Sequence, residues 1–294
     1  MKNRKMKWVI PGGILLAIGL FLIVYSIYNA GRPAPIPVTE ELFEGVTYHR
    51  VVRYLPRPMI AHVLVLDKKK GDFEYLVTPR DNETDAPLNA RTTSQFLDEF
   101  GVQIAVNGDG FTPWWSRSPA DYYPHPGDTV TPNGLSASGG DVYSLADEED
   151  AGKKPILYIS RHNDLSFNNP PRRIFSAISG DRMLVLKGEA VDDLNDARRE
   201  PRTAIGVSEN GRYVVLVVVD GRQPFYSDGA TFTELAGLLI DFKAFFGMSL
   251  DGGGSSTMVI EGKDGEPVIL NSPIDSYIPR RERPVGNHLG VFVQ

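Results

Sequence analysis

The clearest apolar pattern lies in the last third of the chain. Residues 213–220, YVVLVVVD, form a continuous and largely β-branched run, which is typical of a central strand buried on both faces. The segment before it, RTAIGV at residues 202–207, also has strand character, and SENGR joins the two. This order predicts a β-hairpin with a tight polar turn.

Two segments have helical rather than strand periodicity. TTSQFLDEFG, residues 92–101, begins with residues that can cap a helix and ends at Gly101. TFTELAGLLIDFKAFFG, residues 231–247, begins with a Thr-x-x-Glu-like capping pattern and is predicted to end at Gly247. Glu234 lies in its first turn, where a negative charge favours the helix dipole.

The remaining pattern predicts an α+β fold with a mixed β-sheet core and a few packed helices. Short apolar runs at HVLVLD, FEYLVTP and VQIAVNGDGF read as strands, whereas residues 112–169 are rich in Pro, Gly, Asp and Tyr and read as a loop-rich insertion. We therefore expect one domain over residues 46–294.

A different pattern occupies the N-terminus. Residues 8–28 carry no charge and are long enough for a transmembrane helix, and a basic tail at residues 1–7 precedes them. Because the end of this apolar segment lacks the small-x-small cleavage site of a signal peptide, an uncleaved anchor is favoured over a cleaved signal peptide. With a Pro-rich linker at residues 29–45, this predicts a single-pass protein of the cell membrane whose domain lies outside the cytoplasm.

Composition excludes several classes of function. The 294 residues carry a net charge of −6 and include no cysteine. Nucleic acid is therefore not an expected partner, and disulfides, thiolate nucleophiles and cysteine zinc sites are ruled out. No His or carboxylate cluster has convincing metal spacing, so we expect neither a metal nor a cofactor.

The stretch SLDGGGSSTMV, residues 249–259, is the strongest candidate for chemistry. It has no lysine after its glycines, so it is not a P-loop, and a strand rather than a helix follows it. Successive glycines can turn N–H groups toward an anion. The alternative is a sharp turn in which Asp251 caps backbone N–H groups.

Acids and arginines also stand at other strand ends. Asp220 and Arg222 follow the buried run, Arg202 starts a strand, and Asn107 and Asp109 end another. Ligand sites collect where strands end, so we expect these side chains to line one cleft.

These motifs resemble the phosphodiester glycosidase family. The similarity is strong over residues 202–259 and extends more loosely to VNGDGF and RPVGNHLGVF. The family includes an enzyme that removes N-acetylglucosamine from a phosphodiester and bacterial proteins associated with exopolysaccharides. Asp109 occupies a position that is commonly Gly in the family, so no role is assigned to it.

The resemblance implies hydrolysis of the sugar C1–O bond of a sugar-phosphate diester or phosphoglycan. Asp251 and Asp220 are then the expected catalytic carboxyls, and Arg202 and Arg222 the expected phosphate clamp. The expected substrate-binding residues further include Asn107, Gly252, Gly253, Gly254, Ser255, Ser256, Tyr226 and Glu234. Two alternatives remain open: a non-catalytic glycan-binding surface module for polysaccharide export, and cleavage at phosphorus.

Overall fold

The structure is a computed structural model that describes residues 6–29, 31–145, 152–276 and 278–294. The chain divides into two units, Met1–Ala34 and Pro35–Gln294. The first unit contains helix α1, Met6–Asn29. Across the described residues, no helix has both the length and the apolar character needed to cross a membrane. The predicted anchor at residues 8–28 thus receives no support, and the predicted tail at residues 1–7 lies mostly outside the described residues.

The second unit is built mainly from short strands. Its helices are α2, Thr93–Phe100, and α3, Phe232–Asp241. Its strands, in chain order, are β1 Val38–Phe43, β2 Val46–Arg53, β3 Met59–Asp67, β4 Phe73–Val77, β5 Leu88–Asn89, β6 Ile104–Asn107, β7 Phe111–Thr112, β8 Trp115–Ser118, β9 Asp121–Tyr123, β10 Thr129–Pro132, β11 Ser136–Ser138, β12 Asp141–Ser144, β13 Ile156–Ile159, β14 Leu165–Phe167, β15 Ser176–Ser179, β16 Arg182–Leu186, β17 Glu189–Ala190, β18 Arg202–Val207, β19 Tyr213–Val219, β20 Phe246–Ser249, β21 Met258–Glu261, β22 Pro267–Ile269, β23 Ile274–Asp275, β24 Ile278–Pro279 and β25 His288–Val293.

The largest sheet has eight strands in the order β1-β2-β3-β19-β18-β20-β16-β17. Strand β19 lies near its centre and pairs antiparallel with β3 and with β18. Alternate residues of β19 enter two cores: Leu216 lies in the core shared with the other sheets, whereas Val217 packs with α3. This confirms the predicted doubly buried strand and the hairpin at SENGR.

Two five-stranded sheets pack with it, in the orders β22-β21-β6-β25-β4 and β12-β11-β15-β13-β14, and the described residues also form the smaller sheets β5-β10-β7, β23-β24 and β8-β9. Apolar side chains of the five-stranded sheets, such as Val106, Ile178 and Leu289, share one core with the eight-stranded sheet. Helix α2 covers the outer face of the first of them through Phe96 and Leu97. The sheet-rich α+β class is confirmed, and the strand ends meet at the interface between the sheets.

Both predicted helices form, but one ends earlier than expected. Thr92 caps α2 in a capping box with Gln95, and Gly101 ends it in the left-handed conformation. Thr231 and Glu234 form the same box at the start of α3. Helix α3 ends at Asp241 rather than at Gly247, because Gly247 pairs with β18 and β16 as part of β20.

Two other segments contain more regular structure than their composition predicted. Strand β1 falls within the predicted linker at residues 29–45 and pairs with β2, and its Phe43 packs against the core. The predicted insertion at residues 112–169 holds strands β8 to β14, of which β13 contributes buried Leu157 and Ile159. In both cases, burial of a few apolar side chains outweighs the turn-forming composition around them.

Candidate active site

The glycine run forms a tight turn rather than an open ring of N–H donors. Strand β20 ends at Ser249, and a short 3-10 helix covers Gly253–Ser255. The N–H of Gly252 donates to Asp251 Oδ1 over 2.9 Å, and the N–H of Gly253 donates to the Pro201 carbonyl over 2.8 Å. These two donors are therefore used within the fold, which differs from the expected anion nest and matches the alternative of a turn capped by Asp251.

The glycines are needed because arginine side chains lie directly against this backbone. A Cβ atom at Gly254 would come within 2.3 Å of Arg283 Nη2, and one at Gly253 would come within 3.0 Å of Arg222 Nη2. Gly253 also has φ +64°, a conformation that glycine adopts without steric cost. The run therefore serves as a surface on which two guanidinium groups pack.

Asp251 is held firmly at the start of this turn. Besides the Gly252 N–H, its carboxylate accepts a 2.6 Å hydrogen bond from Ser255 Oγ at Oδ2. Its carbonyl oxygen accepts from Asn107 Nδ2 over 2.8 Å. Burial raises the pKa of Asp251, whereas the Ser255 bond and the charge of Arg283 oppose that rise. Its orientation is therefore fixed by the Asn107 side chain of β6 and by its own turn.

Asp109 brings a second carboxyl to the same place. The Asp251 N–H bonds to the Gly108 carbonyl over 2.9 Å, so the two turns lie side by side. Asp109 is only 2% exposed; its Oδ1 accepts from the Gly110 N–H over 2.8 Å and lies 3.4 Å from Lys154 Nζ. Burial, opposed by Lys154, raises the pKa of Asp109 to about 6, and the charge of Asp251 adds to the rise.

Both carboxyls face a cavity of about 860 Å³. Six basic and four acidic side chains line it: Lys154, Arg182, Arg198, Arg202, Arg222 and Arg283, with Asp109, Asp181, Glu200 and Asp251. The lining is thus net positive in a protein whose overall charge is −6. A local excess of guanidinium groups is the arrangement that attracts a phosphate.

The arginines differ in how far their charges are already neutralised. Arg222 Nε bonds to Glu200 over 2.5 Å. Arg202 donates to the carbonyls of Ala230 and Arg198, and within the described part of the chain it forms no ion pair. Its guanidinium stacks 3.9 Å from the centre of the Phe232 ring, and burial lowers its pKa. Arg202 is therefore the guanidinium best prepared to receive an anion.

Arg283 is positioned by a buried acid and an aromatic ring. Its Nε donates to Asp275 Oδ1 over 2.8 Å, and its guanidinium lies 4.6 Å from the centre of the Trp114 ring. Its Nη1 lies 3.4 Å from Ser255 Oγ. This contact places Arg283 next to the hydroxyl that bonds Asp251, so it influences both the carboxylate and any anion in the cavity.

The structure does not bring Asp220 to this cavity. Its side chain is fully buried, and Oδ2 bonds to His62 Nε2 over 3.0 Å. Oδ1 accepts from Asn271 Nδ2 over 3.2 Å and from the Ser272 N–H over 2.7 Å. Although Asp220 ends a strand beside the site, its carboxyl points into the interior, where all its contacts are structural.

Other predicted residues also lie away from the lining. Asn107 is fully buried and acts through the main chain of Asp251, with its Oδ1 accepting from Thr203 Oγ1 and the Thr257 N–H. Tyr226 and Ser256 are buried, and Glu234 is occupied by the α3 cap and by Arg199. Of the predicted set, the cavity itself contains Asp251, Arg202, Arg222 and the three glycines.

Several lining residues were not singled out from the sequence. The sequence assigns no role to Asp109, and Arg283 opens the RPVGNHLGVF segment, whose similarity to the family is looser. Lys154, Asp181 and Arg198 stand in loops whose composition gave no signal. Their charges come together only in the folded protein, where these loops line the same cavity.

The fold and the site define a sheet-rich protein in which the neighbouring carboxyls of Asp109 and Asp251 share one cavity with a cluster of arginines. A family model described as phosphodiester glycosidase matches residues 100–292. The chain therefore belongs to the phosphodiester glycosidase family. No curated protein sequence matches it.

Several solved structures share the fold, among them these three. The catalytic domain of zebrafish N-acetylglucosamine-1-phosphodiester alpha-N-acetylglucosaminidase, auto-inhibited by its pro-peptide, has TM-score 0.58 and 19% identity, covering 90% of this chain and 86% of that one. A putative exported protein of Burkholderia pseudomallei has TM-score 0.55 and 16% identity, with coverages of 80% and 74%. A hypothetical protein from Synechocystis has TM-score 0.54 and 17% identity; the match covers 89% of this chain but only 64% of that protein.

Proposed function

We propose that this protein hydrolyses glycosyl phosphodiesters by breaking the bond between the sugar C1 and the phosphate oxygen. The observation that carries the proposal is the pairing of Asp109 and Asp251 in one cavity with a net positive lining. Paired carboxyls supply the acid and base chemistry of glycoside cleavage. The arginines supply what an uncharged glycoside would not need, which is a site for a phosphate.

The leaving group explains why arginines dominate the site. Cleavage at C1 leaves the bonding electrons on a phosphate oxygen, and the resulting phosphomonoester has a second pKa of about 6. Such an oxygen departs with little protonation, so stabilising its growing charge is more valuable than a strong acid. Arg202 stacks on Phe232 and lacks a carboxylate partner among the described residues, so it is the first member of the clamp, with Arg222 and Arg283 beside it.

The two carboxyls have different roles in this proposal. Asp251, which is held in place by two hydrogen-bond donors and has a pKa that burial raises toward that of a general base, takes a proton from the water that attacks C1. Asp109, whose pKa of about 6 leaves it largely protonated in mild acid, donates a hydrogen bond or a proton to the departing oxygen. The new bond joins water oxygen to C1, and the products are a free sugar and a phosphomonoester.

A synthetic diester of N-acetylglucosamine 1-phosphate is the first substrate to test, because the zebrafish enzyme of the same fold is named for that linkage. We expect the wild type to release N-acetylglucosamine and Asp251→Asn to lose about 100-fold or more in kcat. The matched control is Asp264→Asn, which removes the same charge from an exposed turn. Equal turnover by all three proteins would refute the mechanism.

The bond that breaks is tested in water enriched in heavy oxygen. Attack at C1 puts the label on the sugar, whereas attack at phosphorus puts it on the phosphate. Mass spectrometry of the two products distinguishes these results. Label found on the phosphate would refute glycosidic cleavage and would support phosphodiesterase chemistry in the same cavity.

The second candidate function is a non-catalytic glycan-binding surface module for polysaccharide export. The exposed rings of Trp114 and Trp115 favour it, since aromatic faces stack on sugars. It predicts saturable binding of the diester without release of sugar. The raised pKa of Asp109 argues for the enzyme, because binding alone does not require a carboxyl that titrates near pH 6.

We further propose that the domain works at the cell membrane, outside the cytoplasm, on a cell-surface glycan or exopolysaccharide. The support is the basic start of the sequence followed by the apolar residues 8–28. Fusing a reporter that is active only outside the cytoplasm to the C-terminus tests this placement. We expect an active fusion, and an inactive fusion with full cytoplasmic expression would overturn it.

A further inference from the structure

A second depression adjoins the cavity described above. It has a volume of about 540 Å³, and Arg57, Arg199, Gln223 and Asp228 contribute to its lining. Two residues, Ala197 and Arg222, line both depressions. The second depression, which we call the arginine groove, therefore continues directly from the cavity.

The arginine groove is also net positive. Three arginines and one aspartate line it, and the contact between Arg57 Nη1 and Asp228 Oδ2 is long at 3.9 Å. Arg199 pairs with Glu234 through Nε and Nη2, which leaves Nη1 outside that pair. A guanidinium with five donors keeps some available for an anion after forming one ion pair.

The junction between the two depressions has an unusual backbone. Arg222 has φ +57°, a left-handed conformation that is uncommon for a non-glycine residue and recurs at binding sites. With its Nε on Glu200, its terminal nitrogens lie over Gly253 in the cavity. Arg222 is thus held where one guanidinium reaches an anion passing from the cavity to the groove.

An exposed aromatic residue follows the groove residues Gln223 and Pro224 in the chain. Phe225 follows the groove residue Pro224 and is 88% exposed, which is a costly position for a phenyl ring without a ligand. It also has φ +64°. An aromatic face suits contact with a sugar, and guanidinium groups suit contact with its phosphate.

We propose that the arginine groove binds the next repeat of a polymeric substrate, so that the natural substrate is a chain of sugars joined by phosphodiesters. This inference rests on the proposed function. The cavity holds the diester that is cleaved, Arg222 bridges to the following segment, and Arg57 with Arg199 holds the next phosphate. An isolated diester would leave the groove empty.

The test compares two substrates: a methyl diester of N-acetylglucosamine 1-phosphate, and a tetramer of N-acetylglucosamine joined by phosphodiesters. We expect Arg57→Ala to raise KM for the tetramer about tenfold, the loss of one charged hydrogen bond, and to leave the methyl diester unchanged. The matched control is Arg53→Ala. Arg53 is also exposed and ion-paired, to Asp241 at 3.4 Å, but lines neither depression.

Direct binding separates the two proposals. Calorimetry measures the affinity of the tetramer for two proteins: the Asp251→Asn variant and the double variant that also carries Arg57→Ala. If the double variant binds the tetramer tenfold more weakly, the groove proposal is supported, even when neither substrate is cleaved. The lack of cleavage would then refute only the proposed function. If the methyl diester is cleaved but Arg57→Ala and Arg53→Ala behave alike toward the tetramer in both assays, the groove proposal is overturned and the proposed function stands.

Discussion

At the scale of single residues, three aspartates at strand ends have three different environments. Asp109 is buried beside one lysine, Asp251 is half-buried next to a hydroxyl and an arginine, and Asp220 is enclosed by amide and imidazole groups. The side chain is the same in each case. Its chemistry is set by neighbours from distant parts of the chain, which is why a list of strand-end acids could not assign the roles.

The pKa of Asp109 predicts the pH dependence of the reaction. If its protonated form assists the leaving oxygen, kcat/KM falls as pH rises through about 6. Asp109→Asn should lower kcat/KM and remove this decline, since an amide does not titrate. Initial rates between pH 4.5 and about 8 check this. A decline at pH 6 that persists in Asp109→Asn would assign the titration to another group.

Gly254 predicts a loss that arises from sterics alone. In Gly254→Ala, the new Cβ would lie 2.3 Å from Arg283 Nη2, so the guanidinium must leave its place beside Ser255. We expect kcat to fall about tenfold, together with a lower melting temperature, because the new Cβ also disturbs the buried pair of Arg283 with Asp275. Gly237→Ala is the control: nothing lies within 4 Å of its Cβ, and it should stabilise α3 by about 0.5–1 kcal/mol. Full activity in Gly254→Ala would contradict the packing role.

At the scale of elements, local sequence and tertiary pairing contribute unequally. The starts of α2 and α3 follow from their capping boxes, because those hydrogen bonds lie within four residues. The end of α3 does not, because pairing of Phe246 and Gly247 with β18 stops the helix early. Element starts were therefore readable from sequence, whereas an end set by a distant strand was not.

An ion pair between strand ends predicts the acid stability of the large sheet. Arg212 holds Asp67 through bonds of 2.7 and 2.6 Å, which lowers the pKa of Asp67 to about 2 from 3.8. Its stabilising contribution is present above pH 3.8 and is lost as pH falls through about 2. Asp67→Asn should therefore cost about 1 kcal/mol at pH 6, and this difference should vanish near pH 2.

Thermal unfolding of the wild type and Asp67→Asn across this range makes the measurement. Asp264→Asn, on an exposed turn, should follow the wild type at each pH. A difference between the wild type and Asp67→Asn that stays constant down to pH 2 would mean that the ion pair is not its source.

At the scale of the whole molecule, the sheets are joined by buried polar contacts as well as by the apolar core. Asp220, at the end of β19, bonds to His62 of β3 and to Asn271 and Ser272, which follow β22 of the neighbouring sheet. His62 in turn lies 2.8 Å from the Tyr48 hydroxyl of β2. The carboxyl that the sequence suggested for catalysis therefore connects two sheets.

Asp220→Asn tests that structural assignment. Replacing one oxygen with an amide nitrogen disturbs the buried bond to His62, and we expect a loss of about 2 kcal/mol or more in the free energy of unfolding. The kcat of the folded fraction should stay within about threefold of the wild type, since Asp220 is not among the cavity residues. A 100-fold fall in kcat with unchanged stability would instead assign Asp220 a catalytic role.

The sequence by itself determined the elements and the site segment. Hydrophobic runs fixed β18 and β19, capping residues fixed where α2 and α3 begin, and the DGGGSS stretch with its arginines marked the cavity floor, because each depends on residues close together in the chain. Only the tertiary structure decided which acids meet a ligand. The packing of one sheet on another brings Asp109 next to Asp251 and directs Asp220 into the interior. Because distant contacts set these orientations, the sequence around each aspartate does not reveal them.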